Sequence, residues 1–197
     1  MPKEVLDILD TAVKIGLGAL ISGTTTYYLT KLNNRNSLLK EQRDYSSLLQ
    51  KERREKRAKL AEQCIENLDP FFTAFSNFLA SIDGAVKSGN LSQEKINPKS
   101  ESYKFISQYD KKLTDSRVHY HACISKLNLI GFKESRIALN LIIKHEGRIR
   151  ETIMFNKIPP TQDDINLYMS KYQKLKDSFY EKLNNEFDDI FINVTDN

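Results

Sequence analysis

The side chains best suited to chemistry in this chain are His119, His121 and Cys123, within the run His119-Tyr120-His121-Ala122-Cys123. His119 and Cys123 stand one helical turn apart, so on a helix they face the same way and could share a metal ion. Zinc requires three or four protein ligands. His145-Glu146 offers the only remote third ligand, and His121 points to another side of the helix. No second pair at suitable spacing accompanies them, so Cys123 reads as core and the histidines as its polar edge. No metal and no cofactor are expected. No nucleophile elbow, P-loop, dinucleotide fingerprint, His-Glu-x-x-His or Cys-x-x-Cys occurs, so no catalytic residue is assigned and the chain does not read as an enzyme. Glu146, Arg148, Arg150 and Glu151 read as solvated helix pairs worth a few tenths of a kcal/mol each, roughly.

The elements that would carry these residues are helical. Seven Gly and five Pro in 197 residues supply too few turns for an all-β fold. The charge is uneven. Arg35, Lys40, Arg43, Lys51, Arg53, Arg54, Lys56, Arg57 and Lys59 outnumber Glu41, Asp44, Glu52 and Glu55, whereas the stretch from Asp177 onward is acidic. Cys64 and Cys123 lie far apart in sequence inside helical patterns, as free core thiols of a reducing compartment do.

Near the start, Ile15 to Thr30 (IGLGALISGTTTYYLT) carries no charge. As a helix it extends about 24 Å, and residues 11–14 lengthen it to about 30 Å if Lys14 snorkels. Tyr27, Tyr28, Lys31 and Arg35 then sit where interfacial anchors belong, with Lys14 at the other end. Gly16, Ala19 and Gly23 share one face at the spacing that allows close approach of membrane helices. Glu4, Asp7 and Asp10 argue against a cleaved signal peptide. A soluble core helix is the competing assignment. The Lys/Arg excess after the segment places the N-terminus outside and the remainder in the cytoplasm, by the positive-inside rule.

The sequence therefore predicts an all-α chain: an N-terminal single transmembrane helix with its flanks (1–34), a basic stalk helix (35–68) beginning after a joint at Asn33–Asn36, an antiparallel bundle of about four helices (69–192), and a tail (193–197). Asp69-Pro70 opens a new helix or kinks an old one. Phe71, Phe75, Phe78, Ile82 and Val86 form one buried face, ended by Ser88-Gly89-Asn90. A polar loop leads to a helix over about 101–130 with Phe105, Tyr109, Leu113, Tyr120, Leu127 and Ile130 on its apolar side and Gly131 as its C-cap. The next helix, about 133–155, carries Ile137, Leu141, Ile142, Ile149 and Ile153, and stops before Pro159-Pro160. Thr161 and Asp164 cap the last helix, whose stripe of Ile165, Tyr168, Tyr172, Leu175, Phe179, Leu183, Phe187 and Ile190 is the cleanest in the chain.

In this order, GALISGTTTYYLTKLNNR, then KERREKRAKLAEQCIENL, then a helical bundle, the chain resembles a class of uncharacterised bacterial membrane-anchored helical proteins. The resemblance implies a location at the bacterial inner membrane and transfers no functional residue. The leading functional expectation is a membrane-tethered, non-enzymatic helical interaction or scaffold module, with the lipid bilayer and either another protein or a second copy as partners. The alternative is a membrane-active effector that oligomerises through its N-terminal helix, with the bundle as regulator. Nucleic acid is disfavoured, because the basic stretch is interrupted by acids and carries no recognised motif.

Overall fold

A computed structural model of the chain describes residues 3–91 and 95–192, apart from the side chains of 3–6, 191 and 192. All regular structure among them is helical: α1 (Lys3–Lys87), α2 (Glu101–Asp115), α3 (Arg117–Ile130), α4 (Lys133–Arg150), a π-helical segment (Glu151–Phe155) and α5 (Gln162–Ile192). The tail 193–197 lies outside the described residues. The chain divides into two compact units, Met1–Arg53 and Arg54–Asn197, and α1 contributes to both.

The first unit is helix alone. Asn33–Asn36, expected to be a joint, is helical. Asn has low helix propensity, but three such residues cost only about 2 kcal/mol in sum, and the stretch offers no Gly or Pro to end the helix. The segment 11–30, expected to span a bilayer, is helical throughout. No helix among the described residues, however, is long and apolar enough to cross a membrane. The uncharged run between Lys14 and Lys31 is short, and Ser22, Thr24, Thr25 and Thr26 dilute it.

The second unit holds the core. The expected stalk, 35–68, divides here, because Ala61, Cys64 and Leu68 are already fully buried in the bundle. Pro70 lies inside α1. Its missing N–H leaves the carbonyl of Glu66 without its usual helical partner, yet packing on both sides carries the helix through. Phe71, Phe72, Phe75 and Phe78 follow, all buried. Phe71 meets Tyr120 of α3 edge-on at 5.0 Å between ring centroids, and Phe75 meets Tyr172 of α5 at 4.5 Å.

Contacts fix the directions within this unit. On α1, Arg57, Cys64 and Phe71 meet Ile130, Cys123 and Tyr120 in turn, so α1 and α3 run antiparallel. Phe72 and Asp83 meet Tyr172 and Gln162, so α1 and α5 do too. Ser135 and His145 of α4 meet Glu186 and Tyr168 of α5, again antiparallel. The result is a bundle of four helical columns, with α2 and α3 forming one column.

That column was expected to be one helix. It breaks at Ser116, which is buried, and whose hydroxyl donates to the Leu113 carbonyl at 2.7 Å in place of a regular helical arrangement. Ile106 and Leu113 of α2 face the core, while Phe105, expected inside, is half exposed. In α4 the buried face runs through Ala138, Leu139, Ile142 and Ile149, which leaves the expected core residues Ile137 and Leu141 exposed. The helix ends follow their sequence signals. Gly131 takes φ 81°, and the Phe132 amide closes on the Leu127 carbonyl at 2.9 Å. Thr161 and Asp164 exchange reciprocal bonds of 2.9 and 3.1 Å ahead of α5.

Candidate functional site

Two features stand out among the described residues, one in each unit. In the first unit, Ile8, Leu9, Val13, Ile15, Leu17, Leu20 and Ile21 are each between 54% and 68% exposed. At 100° per residue they project around most of the helix rather than along one stripe. The polar groups among them are satisfied locally. Thr11, Ser22, Thr25 and Thr26 donate their hydroxyls to the helix carbonyls of Asp7, Ala19, Ile21 and Ser22 at 2.7–3.1 Å. Thr24 does the same toward Leu20 at 2.9 Å. Lys14 is paired with Asp10 at 2.5 Å. Beyond the apolar run, Tyr27 and Tyr28 stand edge to face at 5.9 Å, and Lys31 and Arg35 project outward. A Cβ at Gly16 or Gly23 would meet nothing within 4 Å, so nothing in the chain packs closely on the face they share with Ala19.

In the second unit, a cluster of charged side chains joins three helices inside the bundle. Arg150 of α4 donates to both Asp110 oxygens at 2.5 and 3.0 Å and to the Thr114 hydroxyl at 2.8 Å. Glu146, one turn earlier, accepts from Arg117 of α3 at 2.9 and 3.2 Å. It also lies 3.7 Å from the Arg150 guanidinium. Glu146 is 1% exposed and Arg150 7%. Burial pushes the Glu146 carboxyl above the usual glutamate range against the pull of Arg117, while the Asp110 carboxylate raises Arg150 further. The two positive and two negative groups balance, so the cluster is an internal electrostatic lock with no excess charge to offer a ligand.

The reading of Glu146 and Arg150 as solvated pairs is therefore corrected. Each lies on the buried face that continues from Ala138 and Ile142 at steps of four. That continuation was available in the sequence, but charge type outweighed periodicity in assigning them to the surface.

The metal-capable residues scatter. His121 is exposed, His119 is half-buried, and Cys123 lies buried against Cys64. His145 is buried beside Phe75, its Nε2 3.0 Å from the Tyr168 carbonyl, and burial holds its imidazole below the usual histidine range. Among the described residues no group of three His, Cys, Asp or Glu side chains is placed to hold a metal ion. Compared with known proteins, the chain matches no family model, no curated protein and no solved structure.

Proposed function

We propose that this chain is a membrane-tethered, non-enzymatic helical interaction module: residues 11–30 lie in lipid as a single span, and the bundle from Arg54 onward binds a protein partner. The observation that carries the reading is the set of large apolar side chains around Ile8–Ile21 with no cover from the chain. Water is a poor solvent for such a surface, at about 25 cal/mol per Å² of apolar area. The hydropathy shortfall of this helix counts each Ser, Thr, Asp and Lys at full cost. In the helix itself the hydroxyls are bonded to their own carbonyls and the one ammonium is paired, which lowers the cost of immersion. Tyr27, Tyr28, Lys31 and Arg35 would mark the cytoplasmic boundary and Lys14 the outer one, with the bundle on the cytoplasmic side of a bacterial inner membrane.

The test is extraction of membranes with alkaline carbonate. The full chain stays with the membrane pellet, and a chain lacking residues 1–34 appears in the supernatant. Complete release of the full chain would remove the span. A second copy is the simplest partner for the open Gly16–Ala19–Gly23 face. Cross-linking in native membranes should then yield a dimer or higher oligomer that Gly16→Ile with Gly23→Ile abolishes, and an unchanged oligomer in that variant would exclude this face.

A further inference from the structure

The only two cysteines in the chain, 59 residues apart, meet inside the bundle. Cys64 lies on α1 and Cys123 on α3, and both are wholly buried and free. The Cys64 thiol donates to the Cys123 backbone carbonyl, with Sγ 3.5 Å from the oxygen. They sit in the middle of the α1–α3 seam, between the Arg57–Ile130 contact at one end and the Phe71–Tyr120 contact at the other.

We propose that Cys64 and Cys123 form a redox modification site, in which a peroxide converts the pair to a disulfide joining α1 to α3. The chemistry closes within these two side chains and the oxidant. The Cys64 sulfur attacks a peroxide oxygen, the O–O bond breaks, and Cys64 becomes a sulfenic acid as one water leaves. The Cys123 sulfur then attacks the Cys64 sulfur, the S–O bond breaks, and the departing hydroxide takes the Cys123 proton as a second water. Two thiols are oxidised by two electrons and one hydrogen peroxide is reduced to two waters. Because both sulfurs are shielded from solvent, the finished bond resists thiol reductants until the seam opens, and the bundle gains a covalent tie between helices otherwise held by packing. This inference stands whether or not the N-terminal helix lies in lipid.

The experiment treats the full chain, folded in mild detergent, with hydrogen peroxide, then unfolds it and measures free thiols and intact mass. The expected result is joint loss of both thiols, a chain lighter by two hydrogens, and a Tm about 10 °C above that of the reduced protein, reversed by dithiothreitol only when it is added to the unfolded chain. Cys64→Ala and Cys123→Ala should each abolish the mass loss and the Tm shift. The untreated and oxidised wild-type chains carry the test even if either variant folds poorly. Two free thiols after treatment, gain of oxygen atoms in place of loss of hydrogens, or a disulfide between two chains would each overturn the proposal.

Discussion

The two units share one kind of secondary structure and nothing else. From Asp7 to Leu48 every side chain of the first unit is exposed, Leu and Ile included, whereas in the second unit all the phenylalanines of α1 are buried. Both units are helical although only one is packed, so helicity alone does not distinguish them. What separates the units is partnering. Phe72 touches Tyr172, Phe179 and Tyr180 across the bundle, but Leu20 touches nothing beyond its own helix that would keep it from solvent.

The comparison can be broken by equal deletions in the two units. Phe179 is fully buried and packs on Phe72 at 6.1 Å, so Phe179→Ala should cost about 3–5 kcal/mol in denaturant unfolding followed by tyrosine fluorescence. A loss below about 1 kcal/mol would show that α5 is not part of a packed core. Arg150→Ala comes next. It leaves Asp110 and Glu146 short of a buried partner and should cost about 3 kcal/mol in the same measurement, whereas a neutral result would place these side chains in water.

A pH series sharpens the contrast further. His145 is held below the ordinary histidine range by burial, so the folded state resists a proton that the unfolded chain accepts. Its contribution is complete above about pH 6.5 and is lost as the pH falls through the depressed folded value. Glu146, raised by burial, acts in the opposite sense: its contribution is present below the ordinary glutamate range and lost as the pH rises through the raised value, so the His145 share is isolated by comparing wild type with a His145 variant. The Tm should therefore drop between pH 7 and 5.5, and His145→Gln should flatten that slope. An equal slope in wild type and variant would show that His145 does not titrate differently on folding. The smallest effect belongs to the first unit. Leu20→Ala should shift the unfolding of the bundle by less than about 0.5 kcal/mol, and a larger shift would mean that Leu20 packs against folded protein.

Much of the architecture was legible before the structure. Period and punctuation located the ends of four helices: Gly89 and Gly131 at positive φ, Thr161 with Asp164, and the stop before Pro159-Pro160. The stripe from Ile165 to Ile190 is buried or half-buried at every position named. Local signals suffice here because a cap or a turn is decided by neighbours in the chain. Ile137, Leu141 and Phe105 were misplaced for the complementary reason. Each lies at the margin of an apolar stripe, and which margin turns inward depends on where the neighbouring helix lies.

The sequence by itself determined that the chain is helical and that an uncharged stretch lies near its start, because these follow from residue type and spacing. Only the tertiary structure decided what meets across the bundle. Glu186 of α5 accepts from the amides of Glu134 and Ser135 at 2.9 Å, capping α4 where the N-cap residue, Phe132, has no polar side chain to do so. Arg150 finds Asp110 forty residues away, and Cys64 finds Cys123. Such contacts join residues distant in the chain, and their pairing is set by how whole helices stack, a choice made by the sum of apolar burial rather than by any local signal.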